Sequence, residues 1–423
     1  MPSALPPAPA ASQPTLVLIT HLHPLGGSSG QHQRVFYMLK ALSQYFSVHV
    51  VLGTYSQQEA RQYRQQMAQQ FAGVEAHVLV RRYTWWVRLR GWLYEYVPGY
   101  RTTNYTLPRL FTLPALQALL PWRQVQYVLF EYWHSYQVAV RLKQLYPRLL
   151  TLCDTHNILS GNFGFYLQKN WLKRRLARRL QAGYEHLEYQ QALPAFDGLI
   201  GINLEEAAIY RQRYPQKPVW YLPMGIDLSS FERLPPPAPG SPFTVLYYGS
   251  LGSARNQRDC LWLYEQVVLP LYQEGHDIRL RIVGGNAPAG FEARFNPACT
   301  QWVGFANQLA PAFTGVHLAI IPWQGRFGFR SRLIEIMAHG IPVLTSTDAV
   351  WGMGLQHEVH LLAVENIYTA AMELVQQFYK HPAQLAPLAE AGYWVVQHQF
   401  SYVHTYQTWA QGLAQQGLAS TVA

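Results

Sequence analysis

Short apolar runs of strand length recur along this chain, each separated from the next by a stretch long enough for a helix. Leu16-Val17-Leu18-Ile19 comes first, followed by a Gly/Ser loop and helical periodicity from about Gln31 to Gln44. Val48–Leu52, Ala76–Val80, Tyr127–Phe130, Leu149–Leu152, Gly198–Gly201 and Val219–Leu222 repeat the theme. Strands apolar along their whole length need cover on both faces, which a parallel sheet with helical crossovers provides. The pattern predicts an α/β chain built on a doubly wound parallel sheet.

The rhythm breaks at Leu234-Pro235-Pro236-Pro237-Ala238-Pro239-Gly240, which suits neither a helix nor a central strand. It then restarts with a strand at Phe243–Tyr247, a helix over Asp259–Leu271 and a strand at Ile278–Val283. A helix near Gln308, the strand Leu318–Ile321, a helix from about Arg330 to His339 and the strand Pro342–Thr345 follow. At 423 residues, 49% of them hydrophobic, the chain has apolar material for two cores. The expected organisation is a disordered tail over 1–14, a Rossmann-like domain over 15–233, a linker at 234–241 and a second Rossmann-like domain over 242–400. Residues 401–423 are expected to form a C-terminal helix that packs back on the first domain. Ligands of such sheets sit at the carboxyl ends of the strands, so two facing sheets would hold a substrate in the cleft between them.

The formal net charge of +10 suits an anionic partner but does not choose among nucleotide diphosphate, phospholipid and nucleic acid. Cys153, Cys260 and Cys299 have neither zinc-ligand spacing nor the look of a disulfide framework, which favours a reducing compartment. The tail carries no basic residue ahead of an apolar run, and no window approaches the roughly 20 apolar residues of a membrane span. A cytoplasmic protein is expected, with peripheral attachment at the inner face of a membrane left open.

Five elements carry chemistry. The loop after the first strand holds Gly26 and Gly27, which would let the backbone approach a phosphate, or would simply make a tight turn. Asp154-Thr155-His156-Asn157 follows the run ending at Leu152; it reads as polar ligand-facing groups or as a helix cap with a half-buried histidine. Pro223-Met224-Gly225-Ile226-Asp227 is a turn leaving the first domain. Gly249, Ser250, Arg255 and Asn256 lie between the first strand of the second domain and its helix, where N–H groups and a cation can meet a diphosphate. The richest stretch runs from Gly325 to Val343. There Gly328, Phe329, Arg330, Ser331 and Arg332 open a helix, and Glu335 falls one turn later. Cations at a helix start oppose its dipole, a conflict that an anionic ligand removes. A carboxylate at Glu335 can hold a ribose diol, or can belong to a solvated helix face.

These elements, in this order, resemble the retaining GT-B glycosyltransferases of family 4, over nearly the whole chain and most closely a bacterial branch acting in exopolysaccharide-type pathways. The most specific match is Gly-x-x-x-Arg-x-x-Glu-x-x-Ala-x-Gly-x-Pro-Val from Gly328 to Val343. The resemblance implies that Glu335 binds the donor ribose and that Arg255 and Arg332 face the diphosphate. It also implies that His156 touches the donor sugar and that Gly26 and Gly27 close over the phosphates. Catalytic roles fall on His156, Arg255 and Arg332; Gly249, Ser250, Asn256, Gly328, Phe329, Arg330 and Ser331 join the donor-binding set. Transfer would proceed on one face with retention, the leaving diphosphate taking the acceptor's proton, with no metal and no other cofactor. Two positions depart from the family: Phe327 stands where many members carry a second glutamate, and Arg332 where most carry lysine.

Arg81-Arg82-Tyr83-Thr84-Trp85-Trp86-Val87-Arg88-Leu89-Arg90-Gly91-Trp92 interleaves cations and aromatics, and Lys173, Arg174, Arg175, Arg178 and Arg179 surround Trp171, Leu172, Leu176 and Leu180. Such segments suit an anionic membrane surface and a lipid-linked or glycan acceptor, or a plain basic helix with one packed face. The expected partners are a nucleotide sugar and such an acceptor, with no nucleic acid. Rival readings are a nucleotide-sugar epimerase on the same architecture and a non-catalytic nucleotide-sugar-binding subunit.

Overall fold

The computed structural model describes residues 13–25, 30–81, 84–86, 89, 111–161 and 181–417. The described residues form two compact units. The first comprises residues up to Gly201, Ile209–Tyr221 and the segment from Tyr406 onward; the second comprises Ile202–Ala208 and Leu222–Thr405.

The first unit holds seven parallel strands: β1 (Thr15–Thr20), β2 (Ser47–Thr54), β3 (Glu75–Val80), β4 (Tyr127–Glu131), β5 (Leu150–Asp154), β6 (Gly198–Gly201) and β7 (Val219–Tyr221). Their spatial order is β3-β2-β1-β4-β5-β6-β7. Chain direction reverses its march across the sheet between β1 and β4, which register Leu16 against Tyr127. Helix α1 (Gly30–Tyr45) follows β1 and buries Val35, Met38, Leu39 and Leu42 at helical spacing. Helix α2 (Gln57–Gln70) is capped by Ser56, whose side chain accepts from the Glu59 N–H.

The second unit repeats the plan with six parallel strands: β8 (Phe243–Tyr248), β9 (Ile278–Val283), β10 (Thr300–Gly304), β11 (Leu318–Ile321), β12 (Val343–Ser346) and β13 (Leu362–Val364). Their order, β10-β9-β8-β11-β12-β13, is that of a dinucleotide-binding sheet, with its switch point between β8 and β11. Helix α3 (Ala254–Leu263) starts five residues before the Asp259 expected from the sequence. Ser253 caps it by accepting from the Asn256 N–H, so the polar run Arg255–Arg258 forms its first turn rather than a loop. Helix α4 (Ser331–Ala338) follows β11 and buries Leu333, Ile334, Ile336 and Met337.

The division between units falls at Tyr221/Leu222, before the Pro-rich stretch. Ile226 donates its N–H to Phe400 O and accepts from Tyr402, while Leu234 N–H bonds the His339 carbonyl, tying residues 226–234 to the second unit. In the first unit, helix α5 (Thr408–Gln416) buries Trp409 edge-on against Trp220, and Tyr406 stacks on Tyr37. No helix among the described residues is long and apolar enough to cross a membrane.

Candidate active site

In each sheet the candidate site residues collect where the topology reverses, outside the carboxyl ends of the strands on either side of that point and of their neighbours. In the first unit β4 ends on Glu131 and β5 on Asp154, registered as neighbours. Arg34, from α1, lays its guanidinium fork on Asp154, with Nε to Oδ2 at 2.6 Å and Nη2 to Oδ1 at 2.9 Å. Both side chains are excluded from solvent. His156 Nε2 is hydrogen-bonded to Glu131 Oε2, and the same nitrogen lies 3.7 Å from Asp154. Its ring stacks on Tyr132 at 4.2 Å between centroids. Tyr132 and His156 both hold left-handed φ values, 65° and 56°, which side chains other than glycine adopt at a cost. Two such residues stacked together beside a buried ion pair mark a site that the surrounding fold over-determines.

Electrostatics divides the two carboxyls. Burial pushes Asp154 upward, but Arg34 and His156 pull harder and leave it below the usual aspartate range. Glu131 is pushed up by burial and by the Asp154 charge. Glu131, Asp154 and His156 bring ligand atoms within 4.8 Å of one another, dimensions that a cation could use. Arg34 already occupies both Asp154 oxygens, which makes the cluster a poor cage for a metal ion.

His21 and His23, just beyond β1, are each held at about 4. Burial is the main cause for both; His156 and His32 add to it for His21, and His32 for His23. An unfolded histidine takes its proton near 6.5. Between about pH 4 and 6.5 the unfolded chain therefore binds more protons, and stability rises with pH across that window. Glu131, raised rather than lowered, works in the opposite sense. Urea titrations between pH 4.5 and 7 are expected to show the first unit gaining stability with pH; a flat profile would mean that these histidines take up protons in the fold as they do in the unfolded chain.

In the second unit the switch point gathers a glycine-bearing loop, three arginines and Glu335. Gly249 follows β8, and the Arg332 guanidinium covers it so closely that a Cβ there would overlap the guanidinium. Across the turn, a Cβ at Gly284 would overlap the Gly249 carbonyl oxygen, so Gly284 is required by close backbone approach and Gly249 by its φ of 154°. Asn256 Nδ2 donates to the Ser250 carbonyl at 2.5 Å and Asn286 Nδ2 to Ser250 Oγ at 3.2 Å, fixing the loop from two sides.

Three arginines surround this loop and the one after β11. Arg255 lies over the Trp323 ring at 4.1 Å and donates to the Gln324 carbonyl; Arg330 lies over the same ring at 3.8 Å and donates to the carbonyls of Gly325 and Phe327. Burial, and then the charge of Arg255, pull Arg330 below its ordinary value, with Arg332 adding to the effect. Glu335, buried on α4, accepts from Tyr248 Oη at 2.7 Å, and burial pushes its carboxyl upward.

Gly328 is pinned on both sides of its peptide: Glu206 Oε1 accepts from its N–H at 2.7 Å, and Asn203 Nδ2 donates to its carbonyl at 3.2 Å. Phe329 packs against Phe400, Ser331 begins α4, and Phe327 meets the edge of Trp351. Gly249, Ser250, Arg255, Asn256, Gly328, Phe329, Arg330, Ser331, Arg332 and Glu335 thus all lie on the two loops and helix starts of one switch point. His156 lies at the switch point of the other sheet. Gly26 and Gly27 lie outside the described residues, as do Arg82, Arg88, Arg90, Trp92 and the cationic run at 173–179.

Arg34, Glu131, Asn203 and Glu206 were not singled out in the sequence. An acid closing the apolar run Tyr127–Phe130 was the one available signal, for Glu131.

Residues 242–379 match the family model described as glycosyl transferases group 1. No curated protein matches the chain in sequence. Among solved structures, sucrose-phosphate synthase from Thermosynechococcus elongatus superposes with a TM-score of 0.67 at 19% identity, covering 97% of this chain and 100% of that one. TarM gives 0.65 at 8% identity, covering 96% and 99%. HepE of Anabaena, solved in complex with UDP-glucose, gives 0.58 at 12%, covering 94% and 98%. The fold is GT-B, with two Rossmann-like units. With a glycosyl transferases group 1 domain in the second unit, the chain is a glycosyltransferase.

Proposed function

We propose that this glycosyltransferase is a retaining enzyme that moves a sugar from a nucleotide diphosphate to a glycan or lipid-linked acceptor. The observation that carries the reading is the gathering of Arg255, Arg330 and Arg332 at one switch point, where burial and the charges of the other two pull Arg330 below its ordinary value. Like charges so placed repel, and a diphosphate turns that repulsion into attraction. HepE, on the same fold, binds UDP-glucose, which supports a nucleotide-sugar donor.

In this reading Arg332 and Arg255 neutralise charge growing on the departing diphosphate, Glu335 holds the ribose diol, and the Gly249–Ser250 loop meets the phosphates with its backbone. The Glu131–His156 pair is assigned to hydroxyls of the sugar. The diphosphate accepts the acceptor's proton as the new glycosidic bond forms, so the protein supplies position and charge rather than a general base. Trp85 and Trp86, stacked at 3.7 Å and more than half exposed, are assigned to a peripheral membrane contact on the cytoplasmic face, where a lipid-linked acceptor of exopolysaccharide-type synthesis would be met.

The test follows the product anomer by NMR with and without chelator. Retention at an unchanged rate is expected. Inversion, or activity abolished by chelation, would overturn the mechanism. An epimerase instead would consume donor with no acceptor present.

Glu335→Ala is expected to weaken nucleotide binding by about 1.5–3 kcal/mol, the usual cost of losing hydrogen bonds to a charged group. Glu335→Gln retains an acceptor for Tyr248 and separates that packing role from ribose binding. Calorimetric titration with a nucleoside diphosphate reads both, and equal affinities in wild type and Glu335→Ala would remove Glu335 from the site.

A further inference from the structure

We propose that His49, Glu75 and His77, at the amino ends of β2 and β3, form a zinc site that clamps the edge strand of the first sheet to its neighbour. In the parallel register His49 pairs with Glu75 and Val51 with His77, so the three side chains project from one face. His49 Nδ1 lies 3.2 Å from His77 Nε2 and 3.2 Å from Glu75 Oε2; the remaining separation, His77 Nε2 to Glu75 Oε2, is 3.9 Å.

These spacings match a tetrahedral ion. Metal–ligand bonds of roughly 2.0–2.2 Å at tetrahedral angles put ligand atoms about 3.3–3.6 Å apart. Two of the three separations already fall close to this value. The third closes by rotation of the Glu75 side chain, which is largely exposed and free to turn. Hydrogen bonding alone satisfies the cluster poorly. His49 Nδ1 carries at most one proton, yet a ring nitrogen and a carboxylate oxygen both converge on it at the same distance. A cation answers all three lone pairs at once, and water from the open side completes four ligands.

Arg64, the nearby cation, is turned onto the Val78 carbonyl, to which its guanidinium donates. Two imidazoles and one carboxylate are a ligand set that zinc favours over magnesium or calcium. The cluster stands at the opposite end of the strands from Glu131 and His156. Its role is therefore structural, and it is independent of the sugar-transfer reading.

The test uses untagged full-length protein, stripped with chelator and dialysed. Titration with Zn²⁺ is expected to show one ion per chain and a rise in melting temperature; Co²⁺ in its place is expected to give the visible absorption of a tetrahedral complex. In the H49A/H77A double variant the stoichiometric ion and the thermal shift are lost while nucleotide binding by the second unit persists. Absence of a stoichiometric ion in the wild type, or an undiminished ion in the double variant, overturns the site. If the double variant does not fold, zinc X-ray absorption on the native chain decides. A shell of two imidazoles and carboxylate oxygen supports the site, and a sulfur-containing or all-oxygen shell overturns it. Sugar transfer is expected to be unchanged by removal of the zinc.

Discussion

Replacing Arg34 with methionine is expected to lower the unfolding free energy of the first unit by about 3–5 kcal/mol, the range for breaking a buried ion pair from one side. The guanidinium and the Asp154 carboxylate exclude water completely and meet through two hydrogen bonds. Without Arg34, Asp154 faces the raised carboxyl of Glu131 with only His156 to offset it. The loss has a pH signature. In the wild type the depressed Asp154 contributes stability that is present above the unfolded value of about 3.9 and is lost as pH falls through the folded one. In the variant, Asp154 is pushed upward by burial and costs stability at neutral pH. The deficit is therefore largest near pH 7 and shrinks in acid as Asp154 protonates in both states. Denaturant titrations at pH 7 and pH 4 check this, and Asp154→Asn added to Arg34→Met is expected to recover much of the loss. A single variant as stable as the wild type at pH 7 would show that the pair is energetically neutral.

Arg332→Met is expected to reduce kcat/KM by about 10²–10³, the usual loss on removing one preorganised donor to transition-state charge. Arg255 and Arg330 are held by Trp323 and by loop carbonyls, so part of their donor set is committed. Among the described residues Arg332 has no hydrogen-bond or ion-pair partner, and it lies directly over Gly249. Its donors are the ones available to a diphosphate. Because charge on the departing phosphate grows as the bond breaks, the loss is expected chiefly in kcat. Arg332→Lys keeps the charge and loses the planar fork, and is expected to fall between wild type and Arg332→Met. Steady-state kinetics with the identified donor, alongside thermal melting, check the effect. A kcat/KM within twofold of wild type in a folded Arg332→Met would remove Arg332 from the reacting centre.

Periodicity made most of both sheets legible, because buried parallel strands are continuous apolar runs. It missed β10, whose residues are half-buried at a sheet edge, and β13, which has three residues and no room for a pattern. Strand order could not be read, since it depends on crossover contacts that no local pattern encodes. The site divides in the same way. Everything from Gly328 to Glu335 lies in one contiguous stretch, so spacing exposed it. Arg34 stands on α1 as an ordinary polar residue, and only the fold shows it buried on an aspartate 120 positions away. Asn203 and Glu206 reach Gly328 across more than a hundred residues, and nothing near them in sequence announces that contact.

The return of residues 406–417 to the first unit bears on how the chain is made. Trp409 and Tyr406 are fully buried there, the latter beneath Arg34. Both leave the ribosome only after the entire second unit. At about 5–20 residues per second, the first sheet waits roughly 10–40 s after Tyr221 for the side chains that finish its core. During that interval Trp220 lacks its indole partner and Tyr37 its stacked ring. The first unit to be synthesised is therefore the last to be completed, and a nascent chain arrested before residue 406 would present an open apolar seam to chaperones and proteases.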